Sequence, residues 1–293
     1  MGNPAMRTVS EMKVFASVEE FLDWRKTPAV GVSVGFVPTM GALHAGHASL
    51  LARARAENEI VVLSIFVNPT QFNQADDLEK YPRTVEADLE TARAAGVDAV
   101  LLPKDPDELY PEGYRYRVVE TELSKELCGA HRPGHFDGVL TVVMKLFGIV
   151  RADRAYFGEK DYQQLSLIRG MAQAFFMQTE VVACPTVREA DGLAMSSRNL
   201  RLSPEARKLA PKLRAAMVGI ADVAEARRAL EKDGFRVDYL EDRAVGDGEI
   251  RRFAAAFLGE IRLIDNVPLL RSENVPPPRS ENALRASGSA VKL

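Results

Sequence analysis

Two histidines separated by an alanine and a glycine are the side chains of this sequence best suited to chemistry. His44 and His47 lie in the segment PTMGALHAGH (38–47), between an apolar strand pattern and a helical pattern. Open α/β sheets bind ligands at the carboxyl ends of their strands, and the first N–H groups of a helix are free to bind an anion. Imidazoles in such a turn can donate hydrogen bonds to phosphate oxygens and, when protonated, offset the charge of a phosphoryl-transfer transition state.

These histidines also admit other interpretations. No Gly-Lys-Ser/Thr follows them, so the segment is not a P-loop, and two polar histidines in a surface turn would need no function. The remaining histidines, His131 and His135, lie near Cys128 and could contribute to a structural zinc site. Pro133 and Gly134 interrupt that group, so a zinc site is disfavoured and we predict no metal ligands among the side chains.

A second strand-to-helix turn carries charge. In the segment FGEKDYQQ (157–164), Lys160 could hold a phosphate as a point charge. Asp161 is expected to cap the following helix. Gln164 falls about one helical turn later, where it could face the same cleft.

A polar segment, READGLAMSSRN (188–199), follows the last strand of this pattern. Ser196 and Ser197 could donate hydrogen bonds and Arg198 could supply charge, so the loop could close over a triphosphate. A solvated linker is the alternative, and it would be preferred if the first two motifs were absent.

Two further polar stretches follow the apolar strand pattern of residues 60–67. Asn68 and Gln71, in FVNPTQF (66–72), could bind hydroxyl and carboxylate groups of a small substrate, although Asn-Pro also favours a plain turn. Downstream of YPRT (81–84), Asp88 could help to bind a metal–phosphate group. We favour the simpler interpretation, in which Asp88 only starts and solvates a helix.

The elements that must position these residues alternate between strands and helices. β-Branched apolar runs predict strands at 32–37, 60–67, 97–102, 154–157 and 179–184. Apolar residues at helical spacing predict helices at 47–57, 84–95, 138–150 and 161–176. Such alternation predicts an α/β fold, a Rossmann-like parallel sheet with helices on both faces.

The sequence pattern changes near residue 185. Residues 1–185 are predicted to form the Rossmann-like domain, and residues 186–270 a smaller C-terminal α+β domain that acts as a lid. Ser203-Pro204 is a strong helix start within it, helices continue to about residue 232, and strands are predicted at 238–241 and 262–265. Residues 271–293, with three consecutive prolines, are predicted to be a disordered tail.

The composition excludes several classes of protein. The chain has 293 residues, of which 46% are hydrophobic and 27% are charged, and its net charge is 38 − 41 = −3. That balance argues against a broad nucleic-acid surface. No apolar run is long enough to span a membrane, no secretory signal is recognisable, and two cysteines do not form a disulfide framework. We therefore expect a cytoplasmic protein that binds neither nucleic acid nor membrane.

Taken together, the motifs resemble the pantothenate synthetase (pantoate–β-alanine ligase) family. The resemblance extends from about residue 36 to residue 266 and includes seven motifs in one order. These are PTMGALHAGH (38–47), FVNPTQF (66–72), YPRT (81–84), RPGHFDGVLTVV (132–143), FGEKDYQQL (157–165), VREADGLAMSSRN (187–199) and RLIDN (262–266). The resemblance implies an ATP-dependent ligase of the HxGH nucleotidyltransferase superfamily, related in its nucleotide fold to class I aminoacyl-tRNA synthetases.

The resemblance also implies a reaction and its residues. Pantoate would attack the α-phosphate of ATP to give pantoyl adenylate and pyrophosphate, and β-alanine would then displace AMP to give pantothenate, with Mg²⁺ bound to the triphosphate. His47 would be the proton donor, His44 its phosphate-binding partner, and Lys160 and Arg198 further catalytic residues, while Gln71 and Gln164 would hold pantoate and Gln71 would border the β-alanine site. The implied ATP contacts are Met40, Gly41, Ala42, Leu43, His44, Ala45, Gly46, His47, Gly158, Glu159, Lys160, Asp161, Val187, Met195, Ser196, Ser197 and Arg198.

The sequence departs from the family pattern in two places. The C-terminal domain is shorter than usual near residues 245–248, and the tail from Arg271 matches nothing in the family. A homodimer is the family expectation. Two rival functions are considered. Another HxGH nucleotidyltransferase would lack the glutamine pair. A non-catalytic nucleotide-binding regulator would have no use for a complete set of groups that stabilise a transition state, namely His44, His47, Lys160, Ser196, Ser197 and Arg198.

Overall fold

Residues 11–27, 31–245 and 249–269 of the chain are described here, from a computed structural model. Their first part forms a six-stranded sheet in the order β1-β4-β3-β2-β5-β6, in which every neighbouring pair is parallel. The strands are β1 (Lys13–Phe15), β2 (Val34–Thr39), β3 (Ile60–Ile65), β4 (Ala99–Leu101), β5 (Arg154–Gly158) and β6 (Glu180–Cys184). The predicted α/β fold class is confirmed.

Helices cover both faces of this sheet because alternate strand residues are apolar on opposite sides. Val62 of β3 belongs to the core cluster on one face, whereas its neighbours Val61 and Leu63 belong to the cluster on the other. The helices are α1 (Val18–Arg25), α2 (Ala45–Glu57), α3 (Ala75–Glu79), α4 (Val85–Ala94), α5 (Cys128–His131), α6 (His135–Val150) and α7 (Tyr162–Ala174). The first core contains α6 residues such as Leu140, and the second contains α2 residues such as Leu51.

The second part of the chain has its own apolar core. Helices α8 (Pro204–Leu209), α9 (Lys212–Gly219) and α10 (Val223–Lys232) precede an antiparallel sheet in the order β7-β8-β9. Its strands are β7 (Arg236–Val245), β8 (Glu249–Leu258) and β9 (Ile261–Leu269). The core includes Leu213, Met217 and Leu230 from the helices and Ala254 and Leu263 from the strands. The smaller α+β unit predicted from the sequence is therefore present.

Several element boundaries differ from the sequence prediction. Strand β2 does not end before Pro38 but continues through it to Thr39, because a proline near the end of a strand removes only one N–H from the ladder. Helix α2 begins at Ala45, since His44 is its N-cap, and α6 begins at His135. The sequence reading missed β1, α1 and β8, whose FAAAF segment has no strand-like alternation.

Some predictions fall on residues outside the described part of the chain. The predicted tail, 271–293, lies there, as do residues 246–248 of the shortened segment. Among the described helices, none combines the length and the apolar character that crossing a membrane requires.

Candidate active site

The order of the sheet places two strand-to-helix turns side by side. Strands β2 and β5 are neighbours, and the chain leaves them in opposite directions along the sheet, since β3 pairs with β2 and β6 with β5. This switch point is where open parallel sheets bind ligands. The histidine turn (residues 40–47) follows β2, and the lysine turn (residues 158–161) follows β5.

The histidine turn is held by Asp88, which was predicted from the sequence to be a solvated residue at the start of a helix. Asp88 of α4 is only 2% exposed, and its carboxylate accepts the N–H groups of Ala42 at 3.0 Å and Leu43 at 2.7 Å. Gly41 adopts φ +79°, and a Cβ there would lie 2.9 Å from Asp88 Oδ2. The interpretation of Asp88 as a residue that only solvates a helix was wrong, because its charge is buried and satisfies the turn.

The two histidines are oriented by the backbone of their own turn. The N–H of Gly46 donates to His44 Nδ1 at 3.1 Å, and the N–H of His44 donates to His47 Nδ1 at 3.3 Å. Since both Nδ1 atoms accept, the proton of each neutral ring is on Nε2, which is left as the outward donor. The ring centroids are 4.1 Å apart. The turn therefore presents two adjacent N–H donors.

Both imidazoles are neutral at physiological pH. Burial, the nearby His44 and the positive charge of Lys160 together lower the pKa of His47 to about 3. Burial and Lys160 also lower the pKa of His44. The protonated imidazoles considered from the sequence are thus disfavoured, and the histidines offer hydrogen bonds rather than positive charge. The charge of Lys160 therefore acts on both rings.

The lysine turn is built differently. Residues 159–161 form one turn of 3₁₀-helix before α7, and Asp161 occupies the N-cap position without a side-chain cap hydrogen bond. The expected capping role of Asp161 was therefore wrong; its carboxylate lies 3.8 Å from Lys160 Nζ. Instead, Asn266 of β9 donates to the carbonyl oxygens of Glu159 at 2.8 Å and Lys160 at 2.9 Å.

The serine loop (residues 195–198) closes the site from one side. Met195 donates its N–H to the carbonyl of Val187 at 3.0 Å, which places these two predicted ATP contacts together. A Cβ on Gly46 would lie 3.8 Å from Met195 Cβ, so the loop covers the histidine turn. Ser196 caps the 3₁₀-helix Ser197–Arg201. Ser197 is buried beside the Tyr81 hydroxyl.

Arg198 of this loop is already engaged by an acid that the sequence reading did not identify. Its NH2 donates to Asp77 Oδ2 at 3.0 Å, and Arg201 donates to Asp77 Oδ1 at 2.8 Å. Burial would raise the pKa of Asp77, but the two arginines outweigh burial and lower it. Asp77 therefore stays charged and holds Arg198 at the edge of the loop.

The predicted substrate residues occupy different positions. Gln71 lies on a 3₁₀-helix after β3, where its Nε2 donates to Met40 Sδ at 3.1 Å and its Oε1 accepts from Asn68 Nδ2 at 3.1 Å. Asn68 is 1% exposed and also binds Tyr110 and Gly138, so it positions Gln71 rather than reading a substrate. Gln164 faces the cleft described next.

A cleft of about 660 Å³ lies between the two domains. The predicted residues Lys160, Asp161, Gln164, Ser196 and Arg198 form part of its wall, and the strands of the second domain form the opposite wall. The histidine turn and Gln71 lie outside this lining, against Met195 and Met40. Lys160 thus lines the open cleft, and its positive charge also acts on both histidines.

The suggested zinc ligands do not converge. Cys128 Sγ lies 3.0 Å from the Tyr239 hydroxyl, and His135 Nδ1 lies 2.8 Å from the carbonyl oxygen of Gln71. Within residues 11–27, 31–245 and 249–269, no three His, Cys, Asp or Glu side chains are grouped as a metal site would require.

A ligand site at the switch point of a parallel sheet, closed by a second domain, is the architecture of nucleotide-binding α/β enzymes. Comparison with known proteins narrows this class. The model of the pantoate-beta-alanine ligase family matches residues 12–268. A pantothenate synthetase of Bdellovibrio bacteriovorus is 58% identical over 257 residues, which cover 88% of this chain and 99% of that protein.

Solved structures agree with this result. A pantoate-beta-alanine ligase of Francisella tularensis, complexed with beta-gamma ATP and beta-alanine, has a TM-score of 0.83 and 37% identity, covering 88% of this chain and 98% of that one. The pantothenate synthetase of Thermus thermophilus has a TM-score of 0.78 and 46% identity, covering 87% and 99%. The chain belongs to the pantoate–β-alanine ligase family and is an enzyme of that family.

Proposed function

We propose that this chain condenses pantoate with β-alanine at the expense of ATP, through an enzyme-bound pantoyl adenylate. The observation that carries the proposal is the pair of neutral imidazole N–H donors beside Lys160, at the switch point of the sheet. Two aligned donors and one cation are what a phosphate chain needs as charge moves from its α-phosphorus to the leaving group. The ligand names of the Francisella relative support ATP and β-alanine as substrates.

In the first step, a carboxylate oxygen of pantoate attacks the α-phosphorus of ATP, and the bond to the pyrophosphate oxygen breaks. We assign His44 and His47 to hydrogen bonds with the phosphate oxygens through Nε2. His47 acts as a hydrogen-bond donor that keeps its proton, because its pKa of about 3 makes the neutral ring the resting form. Lys160 and Arg198 supply the positive charge that the pyrophosphate requires.

In the second step, the neutral amine of β-alanine attacks the acyl carbon, the bond to the AMP oxygen breaks, and the nitrogen loses a proton as the amide forms. No covalent enzyme intermediate is needed, since adenylation has already provided the leaving group. The protein supplies proximity and excludes water from the acyl adenylate. The second domain, whose β9 contacts the lysine turn, is placed to do so.

The remaining predicted contacts divide between the two substrates. Gln71 and Gln164 are assigned to pantoate, with Gln71 also bordering the amine site. The nucleotide is assigned to the two turns and the serine loop, together with Val187. Gly41 and Gly46 allow the turn itself to pack closely, since a Cβ on Gly41 would lie 2.9 Å from Asp88 Oδ2 and one on Gly46 would lie 2.8 Å from His44 Cε1.

Magnesium fits this site as part of the nucleotide. The described residues hold no group of three acidic, His or Cys side chains that could bind it alone, whereas Mg²⁺ commonly uses phosphate oxygens, waters and one or two carboxylates. Glu159 and Asp161 are the carboxylates of the lysine turn. Asp161, which is half-exposed beside Lys160 and lines the cleft, is the one assigned to such a complex. Mg²⁺ would shield the charge of the triphosphate.

Pyrophosphate and AMP release test the proposal. The purified protein is supplied with ATP, Mg²⁺, pantoate and β-alanine, and each is omitted in turn. We expect ATP–pyrophosphate exchange to require pantoate but not β-alanine, and AMP release to require both. Exchange that proceeds without pantoate would favour another HxGH nucleotidyltransferase, and ATP binding without either reaction would favour a regulator.

Two further assignments accompany this function. We propose a cytoplasmic location, supported by Cys128 and Cys184, which are both free thiols. We also propose a homodimer, which light scattering of the purified chain would test. Neither assignment bears on the chemistry of the site.

A further inference from the structure

An arginine without an acidic partner lies on the wall of the cleft. Arg132 follows α5 and is partly buried. Among the residues that the structure describes, no carboxylate oxygen lies within 4.0 Å of its guanidinium. Arg198 and Arg201, on the same wall, both bind Asp77. Removing an unpaired guanidinium from water costs free energy, which a bound anion would offset.

Neutral groups hold this arginine in place. Its NH1 donates to His135 Nε2 at 3.0 Å, and its NH2 donates to the carbonyl of Gln71 at 3.2 Å. His135 Nδ1 lies 2.8 Å from the same carbonyl and must be the protonated nitrogen, since a carbonyl only accepts. Burial and Arg132 lower the pKa of His135 to about 3, so Nε2 stays an acceptor. The guanidinium is oriented, but its charge is not compensated.

The surroundings of Arg132 favour an anion. Burial lowers its pKa to about 10, and the positive charges of Arg198 and, more weakly, Arg262 act in the same direction. Cys128 and, more weakly, Asp77 oppose them, and Asp77 is already bound by two arginines. A carboxylate at this position would be attracted by several cations and would meet a planar guanidinium with free donors.

We infer that Arg132 binds the carboxylate of the amine substrate and thereby selects an amino acid over a simple amine. This inference rests on the proposed function, in which three anionic groups occupy the site. The triphosphate is assigned to the histidine and lysine turns, and the carboxylate of pantoate is consumed at the α-phosphate. The carboxylate of β-alanine does not react and stays charged throughout.

The position of Arg132 supports this choice among the three anions. It is fixed to the backbone of Gln71, the residue assigned to the border between pantoate and the amine. Arg132 lies on the wall of the cleft, whereas His44 and His47 lie outside that lining, with their turn against Met195. Arg132 is therefore placed apart from the histidine turn, to which the phosphates are assigned.

The test compares two amines in two variants. Arg132→Ala and Arg132→Lys are assayed with β-alanine and with β-alaninamide, which has the same amine and no charge at the other end. ATP–pyrophosphate exchange with pantoate is measured separately, because it needs no amine. Arg169→Ala, which removes an exposed arginine of α7, is the control and should behave as the wild type. Thermal unfolding shows whether each variant folds.

We expect Arg132→Ala to raise the KM for β-alanine about 30- to 100-fold, the range for a lost charge-assisted hydrogen bond. The kcat/KM for β-alaninamide and the exchange rate should change less than about threefold, so the preference for the acid collapses. Arg132→Lys should recover part of it, because lysine keeps the charge but not the planar pair of donors.

Two results would overturn the inference. An equal loss with both amines would show that Arg132 only supports the fold of the cleft. A fall in exchange with a raised KM for ATP would assign Arg132 to the triphosphate instead. Failure of the proposed function itself is distinguishable, since the wild type would then show no pantoate-dependent exchange at all.

Discussion

The two turns that carry the candidate catalytic side chains are held in opposite ways. The histidine turn is fixed within its own domain, by the Nδ1 atoms of its two histidines and by the buried Asp88 carboxylate. The lysine turn has no side-chain cap, and the amide of Asn266, which belongs to the second domain, binds two of its carbonyls. The histidine turn is therefore preformed, whereas the position of Lys160 depends on how the second domain is docked.

The strand that holds the lysine turn also contacts the segment before the serine loop. Asp265 of β9 accepts two hydrogen bonds from Arg188, at 2.7 and 3.0 Å, and the neighbouring Asn266 accepts from Arg251 at 2.6 Å. One strand of the second domain thus fixes two elements that are assigned to the nucleotide. We infer that docking of this domain assembles the cationic side of the site.

The largest loss of activity is expected when the histidine turn loses the imidazole of His47 or the lysine turn loses the ammonium group of Lys160. His47→Ala and Lys160→Ala should each lower the rate of pantoate-dependent ATP–pyrophosphate exchange about 1,000-fold, since each removes a donor aimed at developing charge. Both variants should unfold at temperatures close to that of the wild type. Exchange at the wild-type rate in either folded variant would remove that turn from the mechanism.

The next effect tests the internal support of the histidine turn. Asp88→Asn replaces one of two accepting oxygens with an NH₂ group that faces a backbone N–H, so the turn should open. We expect kcat/KM for ATP to fall about 100-fold, in line with the loss of charge-assisted hydrogen bonds in a buried site. Glu86→Gln, an exposed acid on the same helix, should change nothing. If Asp88→Asn exchanges normally, the turn is held by its histidines alone.

Asp88 also shows where sequence reasoning succeeds and where it stops. Strands such as β3 were predictable because their residues are apolar on both faces, and the two turns followed from where those strands end. An aspartate in the first turn of a helix, however, is usually exposed. Asp88 is buried because α4 packs against the histidine turn, and a local sequence pattern does not show such a long-range contact.

The second domain illustrates the same limit. Its first helix was predicted from Ser203-Pro204, and Ser203 does cap α8. Strand β8 was missed because its central alanines have no alternation, and they are buried between two partner strands. The bonds from Asn266 to the lysine turn span more than 100 residues, so local pattern could not reveal them.

A smaller effect tests the external support of the lysine turn. Asn266→Asp places an acceptor opposite two carbonyls and should weaken ATP binding about 10- to 30-fold, while Asn266→Ala should weaken it less. Calorimetric titration with a non-hydrolysable ATP analogue measures both affinities.

A double variant tests whether Asn266 acts through Lys160. If it does, Asn266→Ala should cause no further loss of ATP affinity in a Lys160→Ala background. Equal losses in both backgrounds would mean that Asn266 supports the fold without positioning Lys160. Gln173→Ala, an exposed amide on α7, is the control.

The smallest expected effect is the contribution of His47 to the pH dependence of the free energy of unfolding. The pKa of His47 is lowered to about 3 in the folded protein, whereas an unfolded histidine titrates near 6.5. Between these values the unfolded chain binds a proton that the folded chain does not, so His47 lowers the free energy of unfolding as the pH falls. From pH 6.5 to 5.5 this loss should be about 1 kcal/mol.

The variant His47→Asn tests this expectation, because it keeps an acceptor for the N–H of His44 but cannot titrate. Urea unfolding at the two pH values should show that the free energy of unfolding of this variant falls by about 1 kcal/mol less than that of the wild type. An unchanged pH dependence would show that His47 can be protonated in place, and the turn would then offer charge as well as hydrogen bonds.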